Sequence, residues 1–102
     1  MKLSISSVAE NDIEQIGDYI AKDNPRRALN FVKALYKQCE KIVQSPLLYR
    51  LHPELDKNIR ACIYRKYIIF FQCNDNEVLI VRVLHGAMDI KNRLRENNEE
   101  QD

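Results

Sequence analysis

The run Val78-Leu79-Ile80-Val81-Arg82-Val83-Leu84, ending at His85-Gly86, restricts what this chain can fold into more than any other stretch. All but Arg82 are apolar, and four of them are Val or Ile, which suit a pleated, packed surface. So continuous an apolar run predicts a strand buried on both faces. Arg82 in its middle must pair with an acid, reach solvent along its stem, or project from a face that the monomer leaves open. His85 falls where the strand stops.

The rest of the chain must supply the cover. Leu3 and Ile5 alternate with polar neighbours, the pattern of a short strand with one buried face. Ser7-Val8-Ala9-Glu10 has capping-box spacing and predicts a helix start. Ala9, Ile13, Ile16 and Ile20 then share one helical face, with Asp12, Glu14, Gln15, Asp18 and Lys22 on the others. Gly17 costs that helix roughly 1 kcal/mol against alanine, which predicts close approach by a neighbour. Asn24-Pro25 is a cap followed by a first-turn proline, so a second helix begins at once. Its apolar stripe is Ala28, Phe31, Val32, Leu35, Cys39, Ile42 and Val43, and Ser45-Pro46 ends it. A join this short makes the two helices an antiparallel hairpin.

Leu47 to Asn58 is a proline-bounded loop too apolar to lie wholly in solvent. Ile59 to Tyr64 and Tyr67 to Cys73 read as strands joined by Arg65-Lys66, and Asn74-Asp75-Asn76, tolerant of positive φ, closes the next hairpin. Met88 to Arg95 is expected to form a short helix. The order is β-α-α-β-β-β, an α+β domain over residues 1–95 with a helical hairpin on one face of a small, mostly antiparallel sheet. Both sheet faces are apolar, and two helices cover only one; the other must be partly covered by the Leu47–Leu55 loop and the C-terminal segment, or else await a partner's helix or strand. The strict alternation groups Ile69, Phe71, Val78, Ile80 and Leu84, and these residues are expected to meet a partner's helix or strand between hairpin and sheet.

Apolar residues at 45% and charged ones at 30% are those of an ordinary globular protein. The net charge of +1 conceals an asymmetry. Residues 96–102 hold four acids and no base, and read as a disordered, solvated tail. Residues 1–95 carry all 16 basic residues against 11 acids, an excess too small to assign nucleic acid as a direct partner. Three widely spaced cysteines without a paired motif read as reduced thiols of a cytoplasmic protein, not as a metal site. With only Gly17 and Gly86 present, a phosphate-cradling glycine loop is excluded, and no cofactor is expected. The N-terminus lacks the apolar block of a signal peptide, and no run approaches a membrane span.

What chemistry remains lies on the sheet and its rim: Arg60, Arg65, Lys66, Arg82, His85, Lys91, Arg93 and Arg95. Charges at strand ends also serve simply to solvate edges. His85 has the reference pKa of a general acid or base, but a strand-terminal histidine more often hydrogen-bonds a backbone carbonyl.

Taken together, Ala9, Asp12-Ile13, Ile16, Tyr19-Ile20-Ala21, Asp23-Asn24-Pro25, Ala28, Phe31, Ile59-Arg60, Tyr67-Ile68-Ile69-Phe70-Phe71 and Arg82-Val83-Leu84-His85-Gly86-Ala87-Met88-Asp89-Ile90 resemble the ParE-type toxins of the ParE/RelE superfamily. Met88 departs from the arginine often found at that position. The resemblance implies a toxin of a bacterial type II toxin–antitoxin system, neutralised by a cognate antitoxin, that acts on DNA gyrase and blocks replication. A RelE-like, ribosome-dependent mRNA endonuclease is the alternative, with Arg60, Arg65, Arg82 and His85 as its catalytic candidates; an inactive structural relative is a third. The basic and tyrosine positions usual in RelE-like nucleases fall here near Ile68, Ala87 and Arg93, so the cleavage set is incomplete. For a gyrase-type target the candidate surface is the C-terminal rim: Arg82, His85, Met88, Asp89, Lys91 and Arg93.

Overall fold

Two helices and four strands appear in the computed structural model, which describes residues 1–94. They are β1 (Lys2–Ile5), α1 (Ser7–Ala21), α2 (Pro25–Gln44), a 3-10 turn at Pro46–Leu48, β2 (Arg60–Tyr64), β3 (Tyr67–Cys73) and β4 (Glu77–His85). Residues 90–94 are helical as well. The expected acidic tail lies outside the described residues.

Local signals account for most boundaries. The Asn24 side chain accepts from the Arg27 amide at 3.1 Å, with Pro25 in the first turn of α2. At α1 the cap is Ser6, one residue earlier than the capping-box spacing predicts, and its hydroxyl accepts from the Ala9 amide at 3.0 Å. The same hydroxyl donates to the Val81 carbonyl at 3.1 Å, so a tertiary bond decides between the two serines. Asn74-Asp75-Asn76 turns without positive φ. Instead the Asn74 side chain accepts from the amides of Asn76 and Glu77, an Asx turn.

The sheet order is β1-β4-β3-β2. β1 runs parallel to β4 and the other pairs are antiparallel, which places the most apolar strand inside the sheet. α1 and α2 cross where a Cβ on Gly17 would stand 3.1 Å from a Val32 methyl, the close approach expected of that glycine. Their stripes, including Ile13, Ile16, Leu35, Cys39 and Ile42, close over Ile69, Phe71, Val78, Ile80 and Val83.

A bulge sits in β4. Phe71 pairs with Ile80 but Phe70 pairs with Arg82, leaving Val81 as the extra residue. The extra residue shifts the alternation, so Val83 joins the helix-covered core and Leu84 the opposite cluster, the reverse of a strict period of two. That opposite face is not left bare. Ile59 and Leu94 are buried against Phe70, Val81 and Leu84, with Leu55, Ala61, Ile68, Leu79 and Ile90 packed alongside. The loop before β2 and the C-terminal helical turn thus close the second face.

This overturns the expectation that Ile69, Phe71, Val78, Ile80 and Leu84 await a partner. The first four lie under the chain's own helices, and Leu84 is covered from the other side. Exposed apolar side chains lie elsewhere, at Leu47, Leu48 and the β2 residue Ile63.

Candidate functional site

β1 ends at Ile5 and the chain turns into α1, so beyond Ile80 the adjoining edge of β4 has no strand beside it. Buried backbone groups there still need partners, and the start of α1 provides them. The Ser6 amide donates to the Ile80 carbonyl at 3.0 Å, the Ser6 hydroxyl serves Val81, and an Asp12 carboxylate oxygen accepts from the Val83 amide at 3.0 Å. Asp12 also receives Arg82, through Nε at 2.8 Å and Nη2 at 2.9 Å. Arg82 Nη1 donates to the Arg93 carbonyl at 2.8 Å. Both side chains are buried. A two-pronged, charge-assisted pair of this kind has strong directional preference, and here it locks together α1, β4 and the C-terminal turn.

Of the three fates open to Arg82, pairing with an acid is the one realised. Arg82 is therefore not an available charge on the rim, nor a group ready to meet a phosphate. Asp12, which the helical pattern places on a solvent face, is buried.

Beside this pair opens a groove of about 1300 Å³, bounded by the two helices, the β2–β3 turn and the end of β4. Asn11, Gln15 and Tyr19 line it at four-residue steps along α1, and Arg27, Asn30, Phe31 and Ala34 line it from α2. The opposite wall is Tyr64, Arg65, Lys66 and Tyr67, with His85, Met88 and Arg93 at the end. Phe31 meets Tyr64 and Tyr67 edge-on, with ring centroids 6.0 and 5.5 Å apart, and Tyr67 meets His85 in the same way at 5.4 Å. Burial pushes the Tyr67 phenol above its ordinary range, and the nearby Tyr19 hydroxyl adds to the effect. His85 does bond the backbone, but as an acceptor: its Nδ1 takes the Ala87 amide proton at 3.0 Å. In the neutral ring this leaves the proton on Nε2.

The groove is basic. Among the described residues its walls carry Arg27, Arg65, Lys66, Arg82 and Arg93 against one carboxylate, Asp12, which Arg82 engages. Among the described residues, Arg27, Arg65 and Lys66 have no carboxylate within ion-pair distance. Arg65 instead lies over the Tyr64 ring, 5.9 Å from its centroid, and holds a left-handed φ of 58° at the hairpin tip.

The predicted site residues separate. Arg65, Arg82, His85, Met88 and Arg93 come together around the groove. Arg60 does not: it begins β2, at the opposite end from Arg65, on the order of 16 Å away by strand rise. It donates to the Tyr49 carbonyl at 2.8 Å. The nuclease candidates Arg60, Arg65, Arg82 and His85 thus do not converge on one point. Asp89 and Lys91 are exposed and lie off the groove wall; the Asp89 carboxylate accepts from the Asn92 amide group at 2.7 Å. Sequence reasoning missed Tyr19, Arg27, Asn30, Tyr64 and Tyr67. The four-residue spacing of Asn11, Gln15 and Tyr19 was the available signal, but a polar helical stripe reads equally as a solvated face. Among the described residues, no group of three His, Cys, Asp or Glu could hold a metal, and no helix is long and apolar enough to cross a membrane.

The model of the family "ParE toxin of type II toxin-antitoxin system, parDE" matches residues 3–90. The solved structure of the chromosomal ParDE TA system from P. aeruginosa is similar at a TM-score of 0.72 and 23% identity, covering 83% of this chain and 95% of that one. At that identity the likeness is one of fold. No curated protein matches the chain.

Proposed function

Since the chain belongs to the ParE toxin family of type II toxin–antitoxin systems, we propose that it inhibits DNA gyrase in the cytoplasm, so blocking replication, and that a cognate antitoxin neutralises it from within the groove. The observation that carries this reading is the meeting of groove and rim at one end of the molecule. His85, Met88 and Arg93 belong to both, so an antitoxin segment seated between the helices and the β2–β3 turn covers the surface offered to the target. An amphipathic helix with acidic flanks suits such a seat: Ile16, Ile20, Phe31 and Ala34 meet its apolar stripe, and Arg27, Arg65 and Lys66 meet its acids.

The target surface is His85, Met88 and Arg93, with Asp89 and Lys91 on its outer margin. Arg82 holds that surface in place through the Arg93 carbonyl and does not itself make contact. Cleavage of RNA by its own 2′-hydroxyl needs a proton acceptor, a donor for the leaving oxygen and cations at one phosphate. Arg60 lies away from the groove and Arg82 is engaged by Asp12, which speaks against that alternative.

Induction of the chain alone in a bacterium tests the proposal, with DNA synthesis and protein synthesis followed separately. Early loss of DNA synthesis with an SOS response is expected. Arg93→Glu should relieve the arrest while leaving the protein folded. Early loss of translation with cleaved messages would instead establish the nuclease reading, and unimpeded growth an inactive relative.

A further inference from the structure

The acidic tail and the basic groove are the two ends of the charge asymmetry in this chain, and no role above uses the tail. Residues 96–102 carry Glu96, Glu99, Glu100 and Asp102 with no basic residue. They lie beyond the 3–90 span that the family model matches. The last described residue, Leu94, is buried beneath the second face of the sheet, directly after the groove residue Arg93. The described chain therefore ends at the rim of the groove.

We propose that the tail docks in the groove of its own chain, as an internal acidic occupant that any other acidic segment must displace. Three groove cations, Arg27, Arg65 and Lys66, lack a carboxylate partner among the described residues. The eight residues after Leu94 reach up to about 28 Å when extended, against molecular dimensions of 38 × 29 × 21 Å, so either wall is within range. Single exposed ion pairs are weak, but the tether raises the effective tail concentration to the order of millimolar. Docking in cis then needs only a weak site. The proposal rests on the charge and position of the groove and holds whether or not the target is gyrase. Only its consequence, a tail that competes with an antitoxin, depends on the function proposed above.

Zero-length carbodiimide coupling of the intact chain tests this, because Lys66 alone among the groove cations forms an amide with a carboxylate. Trypsin cuts after Arg95 and at no position within residues 96–102, so these residues are recovered together on one peptide. In an equal mixture of unlabelled and nitrogen-15-labelled chains, the tail should be found on Lys66 of the same chain. It should exceed coupling to Lys33, Lys37 or Lys41 by about tenfold, given the local concentration. The preference should fall several-fold in about 0.5 M salt, where screening is short-ranged. As a second reading, the full chain carrying Glu96→Gln, Glu99→Gln, Glu100→Gln and Asp102→Asn should show shifted amide resonances at Arg27, Lys66 and Tyr67. Coupling spread evenly over the lysines, coupling only between differently labelled chains, or unshifted resonances would each overturn the proposal. A failed gyrase assay would leave these readings untouched.

Discussion

One face of the sheet is closed by helices and the other by a loop and a single C-terminal turn, and the two closures distribute their anchors differently. Under α1 and α2, Ile13, Ile16, Leu35, Cys39 and Ile42 reach Ile69, Phe71, Val78, Ile80 and Val83 from two periodic stripes, so neighbouring anchors share the burial. On the far side Ile59 and Leu94 carry the full burial from short segments, with Leu55 and Ile90 only partly covered. The C-terminal turn is also fastened by the bond from Arg82 to the Arg93 carbonyl, and Arg82 is itself held by Asp12 of the helical side. The closure with fewer anchors thus depends on the one with more, through a polar link that also shapes the groove.

The largest effect is expected where the two regions join. Asp12→Ala takes the carboxylate from a buried guanidinium and from the Val83 amide, and should cost about 3–5 kcal/mol in urea unfolding. A loss below about 1 kcal/mol would mean that Arg82 finds other partners and that the faces are not coupled. Next come the two faces separately. Phe71→Ala should cost about 3–5 kcal/mol and Leu94→Ala about 2–4 kcal/mol. Leu94→Ala should also expose the C-terminal turn to proteolysis while hydrogen exchange in α1 and α2 stays slow. Equal loosening of the helices would erase the distinction between the closures.

A smaller effect is tied to pH on the helical side alone. Burial, with lesser contributions from Cys62 and Glu40, pushes the Cys39 thiol up from 9.0 to about 11. A raised folded value means the native state keeps its proton longer than the unfolded one. The stability this contributes is complete below about pH 9 and is lost as pH rises toward about 11. The urea midpoint should fall over that window, and less steeply in Cys39→Ala; an identical slope would remove Cys39 from the account. The smallest expected effect is a gain. Arg65 holds a left-handed φ of 58°, and Arg65→Gly should raise stability by about 0.5–1 kcal/mol as relief of strain outweighs glycine's extra unfolded-state entropy. The same change removes a groove cation, so it should also weaken coupling of the tail to Lys66.

Much of the fold was legible in local pattern. β3 falls at Tyr67–Cys73 as its apolar run predicts, α2 starts at the Asn24-Pro25 signal, and Gly17 marks a helix crossing. The site was less legible. Asp12 and Arg82 are 70 residues apart, and an aspartate amid helix surface residues carries no mark of its partner. The exchange of Val83 and Leu84 between faces follows from the bulge at Val81, which is a matter of pairing between strands. His85, Met88 and Arg93 were singled out as rim residues, but the groove they share with Tyr19, Arg27 and Lys66 draws on four separate segments.

Periodicity and capping chemistry, which depend on neighbours a few residues away, were enough to determine the helical hairpin, the order of elements along the chain and the apolar character of both sheet faces. Tertiary structure decided which segment closes each face, that Arg82 turns inward to Asp12, and that the remaining cations line an open groove. Those outcomes depend on how distant segments approach, since a buried charge or an unpaired amide is satisfied by whatever group the fold brings within about 3 Å.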